Sequence, residues 1–300
     1  MKILITADWH IRGERPLCRL DDDWIDSQRK TIAEIRNIFA EEMCYEMWIL
    51  GDLFDAPKCS TAAVNMLIDE LKKFKWDTVK ILCGNHDLKD HNYDNLEQCS
   101  IGTLLKIFGE VPNRLAGLNI NKPTTISATP FGRDDEESHC DVICTHQLTF
   151  PDEKSRPMPG RGALAQELLD KWKHSKAVFT GDYHHSFIYR NGSRFVMNPG
   201  CINIQKADEL DYCPSVYIWD SWDDTIHQRF LNPQSKNCTR DHIEAREQKE
   251  EMLSEVVETI AGGTEMTLDF DSNLDAQVRK TSSAIIDEYE TMRQGINEER

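Results

Sequence analysis

The chain has 300 residues, 39% of them hydrophobic, which is enough for one sizeable core and a small appendage. A formal net charge of −17 excludes a protein that holds nucleic acid through a diffuse basic surface, but not one that meets phosphate through bound metal. The ten cysteines show no CxxC spacing, and we find neither a signal peptide nor an apolar run of membrane-spanning length. We therefore expect a soluble, cytoplasmic protein without a membrane partner.

Five short apolar runs, rich in β-branched residues, are predicted to be buried strands that each end in a polar cluster. The runs reach their clusters at Asp8, Asp52, Asp87, His146 and His185. Apolar residues at helical spacing predict helices between the first runs, within 25–43 and 64–74. Strands that alternate with helices form a largely parallel α/β sheet, so we expect all five clusters at its carboxyl edge.

The pattern changes after residue 190. Shorter strands joined by turn residues, such as Asn198-Pro199-Gly200, predict a second sheet that packs on the first. From about Thr239 the sequence predicts an amphipathic helix, then a short strand (TLDF) and a last helix. We divide the chain into a main domain of residues 1–235 and a mostly helical segment of residues 236–300. An apolar stripe on the first of these helices should pack on the main domain or bind a partner's coiled coil. The stripe comprises Ile243, Met252, Leu253, Val256, Val257 and Ile260.

The polar clusters combine carboxylate, imidazole and amide side chains. They contain Asp8, His10, Asp52, Asp55, Asn85, His86, Asp87, His146, Asp182, His184 and His185. This donor set suits divalent Mn, Fe or Zn, whereas calcium requires oxygen alone and a structural zinc site requires thiolate. There are enough ligands for two metal ions.

Strand geometry suggests how the ligands pair. Alternate residues of an extended strand point the same way, so Asp8 with His10, and Asp182 with His184, would each face one metal site if the strands continue that far. His185 would then point elsewhere. Each motif alone is weak evidence for a metal site, because a lone D-x-H more often occurs by chance on the surface and a lone histidine more often has a structural role. Their consistent order at successive strand ends favours a site.

The motifs D-x-H, G-D-x-x-D, G-N-H-D, a lone histidine after a strand and a closing G-x-x-H resemble the signature of the calcineurin-like metallophosphoesterases. DWHIRG, DDDWIDSQ and GDLFDAP are further similar to the SbcD-type nucleases, including versions carried by large tailed phages, which act in the host cytoplasm. Those nucleases are subunits of double-strand-break repair complexes with a coiled-coil, SMC-like ATPase. The resemblance covers residues 1–230, and it implies a two-layered αββα sandwich with a dimetal site.

The resemblance also implies roles for the cluster residues. One metal would be held by Asp8, His10, Asp52 and His184, and the other by Asp52, Asn85, His146 and residue 182, so that Asp52 bridges them. His86 would be the acid or the transition-state stabiliser at the scissile phosphate. Asp87 would orient His86 or act as a purely structural cap. Two divalent ions are implied, with Mn first and Mg, Fe or Zn as alternatives.

Asp182 departs from the family pattern, which has histidine at this place. Gly181 fixes the register of GDYHH against G-H-x-H, so Asp182 should ligate the second metal and favour Mn or Mg over Zn. Its alternative role is to orient His146 or a bound water. Asp55 matches the bacterial form of GDLFD, whereas archaeal and eukaryotic relatives have histidine there, so the function of that histidine does not transfer.

The resemblance thus implies a Mn-dependent DNA exo/endonuclease, a homodimer that acts at DNA ends with an ATPase partner. Arg12, Arg15 and Arg133 are candidate contacts to DNA phosphates, with a solvated surface position as the alternative for each. Two other functions stay open. One is a different phosphoesterase on the same fold, such as a cyclic-nucleotide phosphodiesterase or a protein phosphatase. The other is a non-catalytic scaffold that binds DNA ends.

Overall fold

The structure is a computed structural model that describes residues 1–74, 77–111, 124–133 and 139–262. The chain divides into two compact units, Met1–Cys238 and Thr239–Arg300. The functional division predicted from the sequence, a nuclease domain of residues 1–235 followed by a capping or partner-binding segment, stays a prediction.

The described residues of the first unit form two five-stranded sheets and a two-stranded one. The first sheet consists of β1 (Lys2–Thr6), β2 (Glu46–Leu50), β3 (Val79–Leu82), β11 (Ser215–Asp220) and β12 (Thr225–Phe230), in the order β12-β11-β1-β2-β3. The second consists of β4 (Ile126–Thr129), β5 (Val142–Thr145), β8 (Ala177–Phe179), β9 (Phe187–Asn191) and β10 (Arg194–Asn198), in the order β4-β5-β8-β10-β9. The small sheet pairs β6 (Thr149–Phe150) with β7 (Ala163–Leu164). The α-helices of the described ranges are α1 (Trp24–Glu41), α2 (Thr61–Leu71), α3 (Ser100–Phe108), α4 (Ala165–Lys171) and, in the second unit, α5 (Asp241–Gly262).

Alternation along the strands explains how the layers pack. In β1, Ile3 and Ile5 lie in the core between the two large sheets, while Leu4 joins the core that α1, α2 and α3 cover. In β8, Phe179 faces the first sheet and Val178 packs with α4. Because each central strand is apolar on both faces, both faces must be covered. The result is the expected αββα sandwich.

The five predicted strands correspond to β1, β2, β3, β5 and β8, but the expectation of one sheet is wrong. The last two belong to the second sheet. The predicted second sheet that packs on the first is present and includes β9 and β10, but the later strands do not form it alone. Strand β10 pairs parallel with β8 in this sheet, whereas β11 pairs antiparallel with β1 in the first sheet. Strand β11 has apolar residues on both faces, with Ile218 toward the helices and Trp219 between the sheets, so it fits beside a central strand.

The second unit is described up to residue 262. The predicted helix is present as α5, on which Met252 and Leu253 are exposed. The predicted strand and last helix lie outside the described residues. Among the helices of the described ranges, none is both long and apolar enough to cross a membrane.

Glu42, directly after α1, connects three elements of the first unit. Its carboxylate receives hydrogen bonds from Lys2 on β1 (3.1 Å) and from Arg229 on β12, and His227 lies 3.4 Å away. Burial alone would raise the pKa of Glu42, but the bonds from Arg229, Lys2 and His227 outweigh it and lower the pKa from 4.5 to about 2. A lowered folded-state pKa means that this stabilisation is present above pH 4.5 and is lost as the pH falls toward 2.

We therefore expect Glu42→Gln to lower the free energy of unfolding by about 1 kcal/mol at pH 7, and we expect this difference to shrink steadily below pH 4.5. Urea unfolding of both proteins across this pH range measures it. The matched control is Glu41→Gln, because Glu41 is largely exposed and bonds only to Arg229 among the partners above. A pH-independent difference, or an equal effect of Glu41→Gln, would contradict the assignment.

Candidate metal centre

The loops after β1 and β2 are joined by backbone hydrogen bonds. The N–H of Asp8 donates to Gly51 O (3.1 Å) and the N–H of His10 donates to Asp52 O (2.9 Å). Asp8, His10 and Asp52 have left-handed backbones, with φ of 52°, 45° and 47°. The expectation that strand geometry aligns Asp8 with His10 is therefore wrong, since β1 ends at Thr6. Non-glycine residues with positive φ are uncommon and concentrate at functional sites.

Three of the predicted ligands form what we call the first cluster: Asp8, His10 and His184, with one ligand atom of each within 4.8 Å of the others. His10 Nε2 lies 3.0 Å from His184 Nε2 and 3.8 Å from Asp52 Oδ2. Asp8 and His10 are buried and His184 is nearly so. The loops after β1 and β8, from two different sheets, thus supply ligands to one point.

The second cluster contains Asp8, Asp52 and His146, whose ligand atoms also lie within 4.8 Å of one another. His146 Nε2 is 3.2 Å from Asp52 Oδ2 and 3.0 Å from the side-chain oxygen of Asn85. Asp8 therefore belongs to both clusters, and Asp52 Oδ2 lies within 4 Å of a histidine in each. This arrangement fits two neighbouring cations that share carboxylates.

The donor atoms fit divalent metal ions. Asp8 Oδ2 and Asp52 Oδ2 are buried and have no hydrogen-bond partner within the described part of the chain. Burial raises the pKa of Asp8. Burial opposes the charge on His146, yet Asp52 beside it raises the pKa of His146 well above its ordinary value. Buried carboxylates are costly unless a proton or a cation neutralises them, so this set of donor atoms suits a bound cation.

The histidine rings are oriented by their other nitrogen. His146 Nδ1 donates to the carbonyl oxygen of Leu50 (2.7 Å), and His184 Nδ1 bonds to Glu209 Oε1 (2.5 Å). A carbonyl oxygen only accepts, so Nδ1 of His146 carries a proton, and Nε2 is the nitrogen left for a metal ion once any proton on it has been displaced. In both rings Nε2 is thus the nitrogen that faces the other ligands, as metal coordination requires.

Two glycines allow the clusters to form. Gly51 has φ of 93°, and a Cβ there would lie 2.1 Å from His146 Nδ1. A Cβ on Gly84 would lie 2.2 Å from both the backbone N and the Oδ1 of Asp52. The glycines of GDLFD and GNHD are therefore required by the close approach of the two loops to the ligands.

His86 lies at the edge of the clusters and is exposed. Its backbone N–H donates to Asp52 Oδ1 (2.9 Å), and its ring meets the ring of His10 edge-on at 4.9 Å. His86 Nδ1 lies 3.0 Å from the backbone carbonyl oxygen of Asp55, which can only accept a hydrogen bond. Nε2 is therefore the nitrogen of His86 that is left to exchange a proton with a bound molecule.

Asp87 is fully buried, and its carboxylate accepts hydrogen bonds from the backbone N–H groups of Leu53 (3.2 Å), Phe54 (2.8 Å) and Gly84 (2.9 Å). These bonds fix the loop after β2 against the loop after β3. The geometry favours the structural cap, since the partners of the carboxylate among the described residues are these backbone N–H groups and not His86. These contacts support a structural role for Asp87, and its catalytic assignment stays a prediction.

Asp182 enters the site through its backbone. Its N–H donates to Asp8 Oδ1 (3.0 Å) and its φ is 75°, so the expected strand alternation ends before it. Its carboxylate is among the charges that raise the pKa of His146, after Asp52 and Asp8. Within the described ranges, none of the groups of three ligand atoms includes this carboxylate, so its ligation of a metal stays a prediction.

His185 is exposed, and its ring packs with Tyr183 (5.5 Å) and Tyr212 (5.2 Å). It therefore points elsewhere, as expected. The loop that carries it is held by Asn198, a buried residue whose side-chain N–H groups donate to the carbonyl oxygens of Tyr183 and of His185 (2.9 Å). The sequence indicated Asn198 only as part of a turn.

The basic candidates differ in their surroundings. Arg12 pairs with Asp55 (2.9 Å) and lines a cleft of about 210 Å³, together with the exposed Lys58. Arg15 donates to the backbone oxygen of Asp21 (2.9 Å), and Arg133 stacks on a tyrosine ring at 4.2 Å. Because Asp55 also lies 3.5 Å from His10 Nδ1, the cleft adjoins the first cluster. Arg12 is thus the candidate that the structure places beside the site.

Comparison with known proteins places this site in context. The sequence profile of the family described as "Calcineurin-like phosphoesterase" matches residues 1–215. No curated protein sequence matches the chain. Among solved structures, Yfce, a phosphoesterase from E. coli, is 18% identical, with a TM-score of 0.40, and the match covers 77% of this chain and 100% of that one.

Two further solved structures resemble this chain to a comparable degree. An archaeal phosphodiesterase is 16% identical with a TM-score of 0.39, over 77% of this chain and 100% of its own. A dimetal phosphatase from Danio rerio is 11% identical with a TM-score of 0.49, over 77% of this chain and 95% of its own. The match to the family profile, and not the similarity to these structures, supports the interpretation of the two clusters as a metal centre.

Proposed function

Because the chain belongs to the calcineurin-like phosphoesterase family, we propose that its clusters hold two Mn²⁺ ions and that it is a DNA exo/endonuclease acting at DNA ends. The observation that carries the proposal is the pair of ligand clusters that share Asp8, with Asp52 between them and the exposed His86 beside them. Dimetal hydrolysis of a phosphoester follows from the family and the clusters. The choice of DNA and of Mn²⁺ is the proposal.

The side chains have distinct roles in this proposal. Asp8, His10, Asp52 and His184 would hold one cation, and Asp52, Asn85, His146 and Asp182 the other. When bound, a cation pair supplies a nucleophilic water at neutral pH and neutralises charge on the phosphate. In its doubly protonated form, His86 would keep its Nδ1 proton on the Asp55 carbonyl oxygen and donate its Nε2 proton to the departing sugar oxygen.

The cleft beside the first cluster supports a polyanionic substrate. Arg12 and Lys58 line it, and they come from DWHIRG and from the residues after GDLFDAP, the segments that resemble SbcD-type nucleases. The exposed Glu14 lines the same cleft, and the net charge of the chain is −17. Phosphate recognition would therefore depend on the cations and on a few basic side chains rather than on a broad basic surface.

The partners in this proposal are a coiled-coil, SMC-like ATPase and a second copy of the chain, in DNA repair, recombination or replication. The ATPase is suggested by the SbcD-type segments. The exposed Met252 and Leu253 on α5 offer an apolar surface of the kind that a partner helix binds.

The test is to incubate the metal-free protein with Mn²⁺ and an end-labelled DNA duplex, with and without the ATPase. In parallel, the protein is assayed with a cyclic nucleotide, a phosphopeptide and a small aryl phosphodiester. Cleavage of the duplex that exceeds turnover of the cyclic nucleotide and phosphopeptide supports the nuclease. Turnover of a small substrate with no cleavage of DNA, even with the ATPase, would favour another phosphoesterase. Binding of DNA ends without hydrolysis of any substrate would favour the scaffold.

Asp182 gives a sharper prediction within this function. We expect Asp182→Ala to lose one of the two metals and most activity, because a carboxylate oxygen would be removed from the second cation. Asp182→His should keep activity and shift the metal preference from Mn or Mg toward Zn. Metal content after dialysis and activity with each ion measure both effects. His185→Ala is the matched control, and the register would be wrong if that variant lost a metal while Asp182→Ala kept two.

A further inference from the structure

The histidines of the two clusters are supported by different groups. His184, in the first cluster, bonds through Nδ1 to the carboxylate of Glu209 at 2.5 Å. His146, in the second cluster, donates through Nδ1 to the carbonyl oxygen of Leu50 at 2.7 Å. One imidazole is therefore backed by a full negative charge, and the other by a neutral dipole.

Glu209 is held firmly in place. It is 2% exposed, and its second oxygen accepts hydrogen bonds from the backbone N–H groups of Gln205 (2.9 Å) and Lys206 (3.1 Å). The side chain of Gln205 in turn donates to the backbone oxygen of His10 (2.9 Å). The turn that carries Glu209 is thus joined to the loop after β1, so the position of the carboxylate is set by the same contacts that set His10.

A carboxylate also lies beside Nδ1 of His10, but it is farther from the ring than Glu209 is from His184. His10 Nδ1 lies 3.5 Å from Asp55 Oδ1 and makes no hydrogen bond among the described residues. Asp55 is also shared with Arg12, which reduces its effect on His10. Both histidines of the first cluster therefore face carboxylates on the side away from the ligands, whereas the single histidine of the second cluster does not.

We propose that Glu209 is a positioning residue for His184 and that, through it, the first cluster binds its Mn²⁺ more tightly than the second cluster. A carboxylate on Nδ1 fixes the tautomer that leaves Nε2 free, and it raises the basicity of Nε2 as a ligand. A carbonyl oxygen fixes the tautomer but contributes less to basicity. This inference rests on the dimetal site and not on DNA as the substrate.

The experiment titrates the full-length, metal-free protein with Mn²⁺ and follows free Mn²⁺ by electron paramagnetic resonance. We expect two classes of site in the wild-type protein. Asn85→Ala should remove the weaker class, which assigns that class to the second cluster. Glu209→Gln should lower the Mn²⁺ affinity of the tighter class by about 10- to 100-fold, because loss of a hydrogen-bonding partner behind a metal-binding histidine typically lowers metal affinity by this factor. The Mn²⁺ affinity of the weaker class should change by less than about threefold.

Glu209→Gln keeps the shape of the side chain and an oxygen that can accept from Gln205 and Lys206, so its metal-free melting temperature should stay near that of the wild-type protein. Glu46→Gln is the matched control, because Glu46 is a buried glutamate that accepts from the side chain of Trp48 (2.8 Å). It should change neither class of site.

Equal weakening of both classes by Glu209→Gln, or no weakening, would overturn the proposal, as would loss of the tighter class in Asn85→Ala. If Glu209→Gln fails to fold, Glu209→Asp replaces it, since it draws the carboxylate away from His184 Nδ1, and it should weaken the tighter class alone. An unchanged tighter class in Glu209→Asp would then overturn the proposal. Since only Mn²⁺ is measured, the result is the same whichever phosphoester is hydrolysed.

Discussion

Replacing Asp52 with asparagine should lower phosphodiester hydrolysis by at least about 1000-fold. Asp52 Oδ2 lies 3.2 Å from His146 Nε2 and 3.8 Å from His10 Nε2, so one carboxylate serves both clusters. Loss of its negative charge would weaken the binding of both cations at once. Metal stabilisation of a reacting phosphate is worth several kcal/mol, and each increment of about 1.4 kcal/mol is tenfold in rate. Steady-state hydrolysis of a small aryl phosphodiester at saturating Mn²⁺ measures the loss.

Asparagine keeps the size of the side chain and an oxygen that accepts from the N–H of His86, so the fold should survive. Asp141→Asn is the control, since Asp141 lies directly before β5 and accepts hydrogen bonds from Thr125 at 2.9 and 3.0 Å. That variant should keep most of the activity. Activity of Asp52→Asn within tenfold of the wild-type protein would show that Asp52 is not shared between two cations.

Removing the ring of His86 should lower the rate of DNA cleavage by about 100- to 10,000-fold, the usual contribution of a general acid. The Nδ1 contact to the Asp55 carbonyl leaves Nε2 for the substrate, and the ring is exposed beside the buried ligands. His86→Ala should still bind two Mn²⁺ ions and DNA ends. Cleavage assays and Mn²⁺ titrations of the same preparation separate these effects.

His174→Ala is the matched control, because His174 is exposed and its ring contacts His139 (4.8 Å) rather than the clusters. Unchanged cleavage by His86→Ala would remove His86 from the mechanism. Loss of a metal by that variant would instead make His86 a ligand.

Much of the candidate ligand set could be predicted from the sequence, because strand ends are marked by apolar runs that stop at polar residues. Asp8, His10, Asp52, His146 and His184 all lie in the two clusters. The partition of the strands between two sheets could not be predicted, since a buried strand reads the same in either sheet. The parallel strands β5 and β8 nevertheless bring their ends to the same site.

The backbone conformations that bring the cluster residues together were harder to predict from the sequence than the residues themselves. Left-handed backbones at Asp8 and His10, rather than strand alternation, turn both side chains to one point. Such conformations depend on contacts between distant loops, and a single sequence does not reveal them. Glu209 lies in a short turn that matches no sequence motif. Leu50 contributes its backbone carbonyl oxygen, which every residue type has, so the sequence does not mark it. Asp87 matched a motif, yet its hydrogen bonds show that it holds the loops together.

The most direct test of the dimetal centre is the number of Mn²⁺ ions bound per chain, determined by elemental analysis of the full-length protein after loading with Mn²⁺ and removal of excess metal. The clusters predict two ions in the wild-type protein and in His86→Ala, and fewer than one in Asp52→Asn. One ion or none in the wild-type protein, or two ions retained in Asp52→Asn, would contradict a centre in which Asp52 joins two cations.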